Sequence, residues 1–187
     1  IIAWTRFSIP SGPISAEQLS TLFAHLHGLD YRVLRVANPF GPYQVPLKNQ
    51  GVISALIDRG LSGAPMEIWG DGTRTRSFMY IDDCVHGVQA IMNSDILEPI
   101  NLGSSEMVSI NQLVDIVEDI AGIKLKRNYK LDAPKGVMGR NSDNTLIKKY
   151  LGWEPSIPLR VGMEKTYRWI YDQYMAREKG LAASGTK

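Results

Sequence analysis

Apolar residues recur along this chain at two spacings, and the switch between them divides it into elements. Leu19, Leu22, Phe23 and Leu26 repeat every three or four positions behind Ser15, with Gln18 three residues on. That spacing predicts an amphipathic helix over 16–27 with a capping box. Val52, Ile53, Leu56 and Ile57 predict a second helix from Gly51, ended by Gly60 and Gly63. Val85, Val88, Ile91 and Met92 predict a third over 84–93, capped by Asp82 and Asp83. Ser109 caps a fourth over 110–121, with Leu113, Ile116, Val117 and Ile120 on its apolar face. A short helix follows at Thr145–Leu151, and a last one over about 160–179 buries Val161, Met163, Tyr167, Ile170 and Tyr174 or a close subset.

Between the helices lie short apolar runs with strand character: Ile1–Trp4, Tyr31–Ala37, Met66–Trp69, Phe78–Ile81 and Pro99–Gly103. Ile123–Leu131 alternates lysines with apolar residues, as an edge strand does. The two prolines of Ser8–Pro13 mark a loop, and 180–187 is a small polar tail. Dense alternation of strands and helices after residue 64 sets the class as α/β.

Composition narrows this little. The 187 residues suffice for a real core, and 44% hydrophobic with 21% charged is ordinary for a globular chain. A net charge of +2, with no basic run interleaved with aromatics, gives no case for nucleic acid. No apolar run is long enough for a membrane span, and the first residues lack a signal layout. Cys84 is the single cysteine, so no intrachain disulfide or zinc cluster is expected, which fits a reducing, cytoplasmic setting.

The candidate chemistry centres on Gly70-Asp71-Gly72-Thr73-Arg74-Thr75-Arg76-Ser77, a glycine-permitted turn followed by two planar cations suited to phosphate or carboxylate. Gly139–Asn144 puts a second arginine, Arg140, on another glycine-hinged turn before a helix. Asn38 ends a strand just before Pro39, where ligands bind in open α/β sheets. It either contacts a ligand or satisfies its own turn. Trp69 is either core or a platform for a flat base. His25 and His27 at a helix end need no role beyond interaction with the helix dipole. Glu67, Asp71 and Lys48 are polar groups with no partner spacing that would make any of them an acid or base.

Five motifs then stand in order: Leu34-Arg35-Val36-Ala37-Asn38-Pro39-Phe40-Gly41-Pro42, Ile68-Trp69-Gly70-Asp71-Gly72, Arg76-Ser77-Phe78 through Ile81-Asp82-Asp83, Asn101-Leu102-Gly103-Ser104, and Leu151-Gly152-Trp153-Glu154-Pro155. Together, over about Ser15–Lys179, they resemble the C-terminal half of the NAD-dependent nucleotide-sugar epimerase/dehydratase family, the extended short-chain dehydrogenase/reductases. Glu106–Ser109 and Gly139–Asn144 resemble its GDP-mannose 3,5-epimerase subfamily. The resemblance implies a partial Rossmann-like sheet with the family's smaller substrate-binding domain. It implies a nucleotide-sugar ligand, GDP- or UDP-linked: Asn38 near the diphosphate, Arg76 and Arg140 on it, Trp69 against the base. Arg74 matches no family ligand.

The family's glycine-rich cofactor turn has no counterpart here, and its Tyr-x-x-x-Lys pair falls, by the register of Glu17, on Ile9 and Pro13. NAD binding and catalytic residues are therefore not expected in this chain. The expectation is a truncated, nucleotide-sugar-binding relative, organised as one domain: residues 1–64 a sheet remnant, 65–180 the substrate region. Two alternatives stand beside it: a fragment of an active epimerase, and a structural or oligomerisation module with a vestigial site. A homodimer is expected under each, because bare strand edges and apolar faces need cover.

Overall fold

A computed structural model describes residues 2–4, 12–44, 51–133 and 138–178. In chain order the elements are β1 (Ile2–Trp4), α1 (Gly12–His27), β2 (Arg32–Val36), β3 (Pro39–Phe40), α2 (Val52–Ser62), β4 (Met66–Trp69), β5 (Thr75–Ser77), β6 (Met79–Tyr80) and α3 (Ile81–Met92). They continue with β7 (Ile100–Leu102), β8 (Met107–Ser109), α4 (Ile110–Ala121), β9 (Arg127–Lys130), β10 (Gly139–Arg140), α5 (Thr145–Leu151) and α6 (Leu159–Glu178). Contacts group these into two compact units. One holds Ile1–Pro39, Arg76–Met107 and Gly139–Ile157; the other holds Phe40–Thr75, Val108–Met138 and Pro158–Lys187. The segments interleave because strands distant in sequence pair with one another.

The first unit is built on a parallel sheet in the order β1-β2-β7, with Ala3 opposite Val33, and Leu34 and Val36 opposite Ile100 and Leu102. β2 buries Val33, Leu34 and Val36 and β7 buries Ile100 and Leu102, while Arg35 and Asn101 are half-buried. Leu34, Val36, Ile100 and Leu102 join Met79, Cys84, Ile91 and Ile147 in one core cluster. Gly87 lets α3 lie tightly on β7: a Cβ there would stand 2.5 Å from Leu102 Cδ1. That approach fixes Cys84, Gly87 and Ile91 inward and leaves Val85 and Met92 exposed, against the face expected from spacing. α3 also begins at Ile81, a turn's start earlier than expected, and no side chain caps it. The buried Asp83 carboxylate instead accepts from the backbone N–H groups of Ser156 and Ile157, at 2.9 and 2.8 Å.

α1 departs further. It starts at Gly12, so Pro13 and Ser15 lie in its first turn, where proline's missing N–H is no loss. The helix thus begins three residues before Ser15. The apolar stripe does not face the sheet: Leu19, Leu22, Phe23 and Leu26 are 55%, 50%, 43% and 61% exposed. The covered positions are Ala16, Glu17, Ser20 and Ala24, small residues around one carboxylate. Both oxygens of Glu17 accept from Arg35 on β2, from Nε at 2.8 Å and Nη2 at 2.7 Å.

The second unit packs α2, α4 and α6 together beside the parallel pair β4–β9, in which Ile68 is opposite Tyr129. Gly60 does not end α2. It lies inside the helix, where an added Cβ would be 2.7 Å from Val117 Cγ1 on α4; the left-handed Gly63 (φ 64) ends it. α4 carries the expected capping box: Ser109 Oγ accepts from Gln112 N, and Gln112 Oε1 from Ser109 N. Its buried face is Leu113, Val114, Val117 and Glu118, with Ile116 and Ile120 half-buried. α6 buries Leu159, Met163, Thr166 and Ile170, while Val161 and Tyr174 are exposed. The expected register placed those two inward; Thr166 belongs there because its hydroxyl is satisfied by the Gly162 carbonyl at 2.7 Å.

Candidate functional site

Asn38 follows β2 in a left-handed conformation (φ 45), which asparagine tolerates better than most residues. Its side-chain Nδ2 donates to the Ser77 carbonyl at 3.0 Å, and its own carbonyl accepts from Met79 N at 3.1 Å. The amide therefore ties the end of β2 to β5 rather than closing its own turn. Ser77 is the neighbour of Arg76, so Asn38 sits one residue from that guanidinium's backbone. β10 pairs with β5, which brings Arg140 alongside. Asn38, Arg76 and Arg140 thus gather in the first unit. Arg76 is half-buried and Arg140 exposed. Arg74 belongs to the second unit, where its carbonyl accepts from Ile110 N.

The turn after Arg140 is held by its own polar residues. Asp143 Oδ1 accepts from Thr145 N and Thr145 Oγ1, at 3.0 and 2.6 Å, and starts α5. The Thr145 hydroxyl, then its N–H, hold the Asp143 carboxyl below its usual range. Buried Asn144 donates to the Gly103 carbonyl at 2.9 Å and to Glu154 Oε2 at 3.2 Å. Gly103 is a close approach: a Cβ would fall 2.8 Å from Ser142 Cβ and 2.9 Å from Ala37 Cβ.

In the second unit, Trp69 is 59% exposed, on the outward face of β4 opposite buried Met66 and Ile68. It is not core. Its Nε1 donates to Glu67 Oε1 at 2.9 Å, and Lys130 Nζ lies 2.6 Å from Glu67 Oε2. Lys130 foremost, with the indole N–H, holds the Glu67 carboxyl below its usual range. Asp71 is likewise lowered, by the Thr73 hydroxyl and N–H that its carboxylate accepts. Glu67 thus fixes the exposed face of the β4–β9 pair, and Asp71 supports its own turn. Lys48 and Ile9 lie outside the described residues.

Pattern reading missed Asn111. Its Nδ2 donates to the Asp71 carbonyl at 3.1 Å, its N–H to the Gly72 carbonyl at 3.1 Å, and its Oδ1 accepts from Tyr129 Oη at 3.1 Å. A Cβ on Gly72 would stand 2.3 Å from Asn111 Oδ1, so only glycine lets this asparagine close over the turn. A polar residue in a first helical turn carries no such signal in sequence.

A cavity of about 470 Å³ is lined by Tyr129–Ala133, and one of about 540 Å³ by residues that include Glu17, His25, Tyr31 and Pro99. Asn38, Arg76 and Arg140 line neither. Burial raises the Cys84 thiol pKa, which opposes a nucleophilic role. Among the described residues there is no cluster of His, Cys, Asp and Glu that could hold a metal ion, and no helix long and apolar enough to cross a membrane.

A parallel sheet with flanking helices, and arginines on the short paired strands β5 and β10, places the chain in the α/β class. Residues 14–103 match the NAD dependent epimerase/dehydratase family. The chain is 40% identical over 162 residues to GDP-mannose 3,5-epimerase 1 of Oryza sativa, covering 86% of this chain and 43% of that protein. It is 39% identical to GDP-mannose 3,5-epimerase of Arabidopsis thaliana over the same share. Among solved structures, UDP-glucose 4-epimerase of Thermotoga maritima with UDP-glucose superimposes with a TM-score of 0.81 at 33% identity, over 87% of this chain and 52% of that one. UDP-glucuronic acid 4-epimerase of Bacillus cereus, in complex with UDP-glucuronic acid and NAD, gives 0.78 at 30% identity, over 89% and 55%. The chain belongs to the NAD-dependent epimerase/dehydratase family, with a Rossmann-like α/β fold. It spans about half the length of these relatives, consistent with their C-terminal half.

Proposed function

We propose that this chain binds the diphosphate of a nucleotide sugar through Arg76 and Arg140, with Asn38 fixing the end of β2 beside them. The pairing of β10 with β5 carries this reading, because it sets two cation-bearing backbone segments side by side. A planar guanidinium forks onto two phosphate oxygens, and two of them match the two phosphates of a sugar nucleotide. Solved relatives that hold UDP-glucose and UDP-glucuronic acid support the ligand class. Similarity to the rice protein supports GDP-mannose as the first ligand to try. Ile9 and Pro13 supply no acid/base pair, so binding without hydride transfer is the activity assigned to this chain.

Calorimetry with GDP-mannose, UDP-glucose and NAD tests this. A sugar nucleotide should bind, with NAD silent. Arg76→Ala should weaken binding by about 10- to 100-fold, since a hydrogen bond to a charged group contributes roughly 1.5–3 kcal/mol. Absence of binding at millimolar nucleotide would remove the proposal and leave a structural module. The exposed stripe of α1 favours that second reading in one respect: a second copy of the chain is the proposed cover for it.

A further inference from the structure

Three buried side-chain atoms have no hydrogen-bond partner among the described residues: Asn101 Oδ1, Ser142 Oγ and Asn144 Oδ1. They belong to two facing stretches of the first unit. Asn101 Nδ2 donates to the Asp143 carbonyl at 3.3 Å, and Asn144 Nδ2 to the Gly103 carbonyl and to Glu154. Ser142 Cβ and Oγ lie 2.8 and 3.2 Å from the position a Gly103 Cβ would take. Both amide nitrogens face acceptors, so flipping either amide would set oxygen against oxygen; the two unpaired oxygens are therefore true acceptors. The serine hydroxyl holds one proton, and it bonds neither of them. Ser142 and Asn144 are each 6% exposed, and Asn101 is half-buried with its Oδ1 covered.

Two acceptors and one hydroxyl call for a small species with two donors and one acceptor. We propose that a single internal water donates to Asn101 Oδ1 and Asn144 Oδ1 and accepts from the Ser142 hydroxyl. That water ties the turn after Arg140 to the Gly103 end of β7. The absence of a side chain at Gly103 keeps the two stretches close enough for one molecule to span. The inference rests on the packing alone and stands whether or not a nucleotide sugar binds.

A crystal structure of the unliganded protein at atomic resolution should show one solvent peak within hydrogen-bonding distance of all three atoms. Nuclear Overhauser effects in solution should link a long-lived water to the Asn144 Nδ2 protons. Ser142→Ala should abolish that cross-peak and speed amide exchange at 141–143 while exchange in β7 stays unchanged. The proposal fails if any of the three atoms proves to be bonded to a protein donor, or if all three stay unpaired with no peak. It fails equally if exchange of thallium for sodium gives an anomalous signal there, since the occupant would then be a monovalent cation. An unchanged cross-peak and exchange pattern in Ser142→Ala would also overturn it.

Discussion

α1 and α4 both announce themselves in sequence by an apolar stripe at helical spacing, yet they use it in opposite ways. α4 turns Leu113, Val114 and Val117 into the second unit and starts at a capping box. α1 turns Ala16, Glu17, Ser20 and Ala24 to its neighbours and leaves its four large apolar residues outside. Periodicity reports that a helix has two faces; it does not report which one is inward. The inward face is decided by what must be satisfied. In α1 the Glu17–Arg35 pair needs close approach and small neighbours. In α4 the buried Glu118 rides on an apolar face because three donors meet it.

Glu118 offers the sharpest way to break the comparison. It accepts from Lys124 Nζ at 2.9 Å, Leu125 N at 3.0 Å and Arg127 Nη2 at 2.9 Å, at 3% exposure. Burial pushes its carboxyl up, but hydrogen bonds from Lys124, the Leu125 N–H and Arg127 outweigh it and hold the pKa down at about 2. Glu118→Ala leaves the Leu125 N–H without its acceptor and Arg127 paired with the exposed Asp115 alone among the described residues. A loss of about 3–5 kcal/mol in urea unfolding is expected, the range for breaking a buried pair. A depressed carboxylate contributes stability above its unfolded pKa and loses it as pH falls through the folded one. The wild type should therefore lose roughly 3 kcal/mol between about pH 4.5 and pH 2, and Glu118→Ala should lose that much less over the same window. Parallel acid curves would show that α4 does not depend on this carboxylate.

That network also shows where sequence reading stopped. The parallel strands, the Ser109 cap and the α5 boundary at Gly152 were legible, because each has a local signature: β-branched runs, a serine followed three residues later by glutamine, a left-handed glycine. Glu118 sits one position beyond Val117, and nothing local marks it as buried, since its donors come from six to nine residues downstream. Asn111 over the Gly72 turn is the same case in the site region. For the site itself, the motif order brought Asn38, Arg76 and Arg140 to notice. That β5 and β10 bring the two arginine segments together is a pairing across more than sixty residues, which no spacing rule contains.

A smaller effect tests the start of α4. Ser109→Ala removes the acceptor for Gln112 N and should cost about 1 kcal/mol, read as a lower denaturation midpoint with unchanged m. Ser15→Ala on α1 should do nearly nothing, because Ser15 lies in the first turn and α1 begins before it. Equal losses would mean that both serines cap, and that α1 begins where its spacing suggested.

The smallest effect on stability should come from the stripe of α1, and it carries the most information. Leu22→Ser with Phe23→Ser replaces two half-exposed side chains whose removal leaves no cavity, so the unfolding free energy of a single chain should move by less than about 0.5 kcal/mol. If a second copy covers the stripe, the wild type should scatter light as a dimer and the double variant as a monomer, with the fold intact by circular dichroism. A monomeric wild type would leave the stripe without a self-partner and remove the homodimer. A monomeric wild type that also loses several kcal/mol in the double variant would reverse the comparison itself. The large residues of α1 would then be its inward face, as they are in α4, and the Glu17–Arg35 pair would no longer decide the helix's orientation.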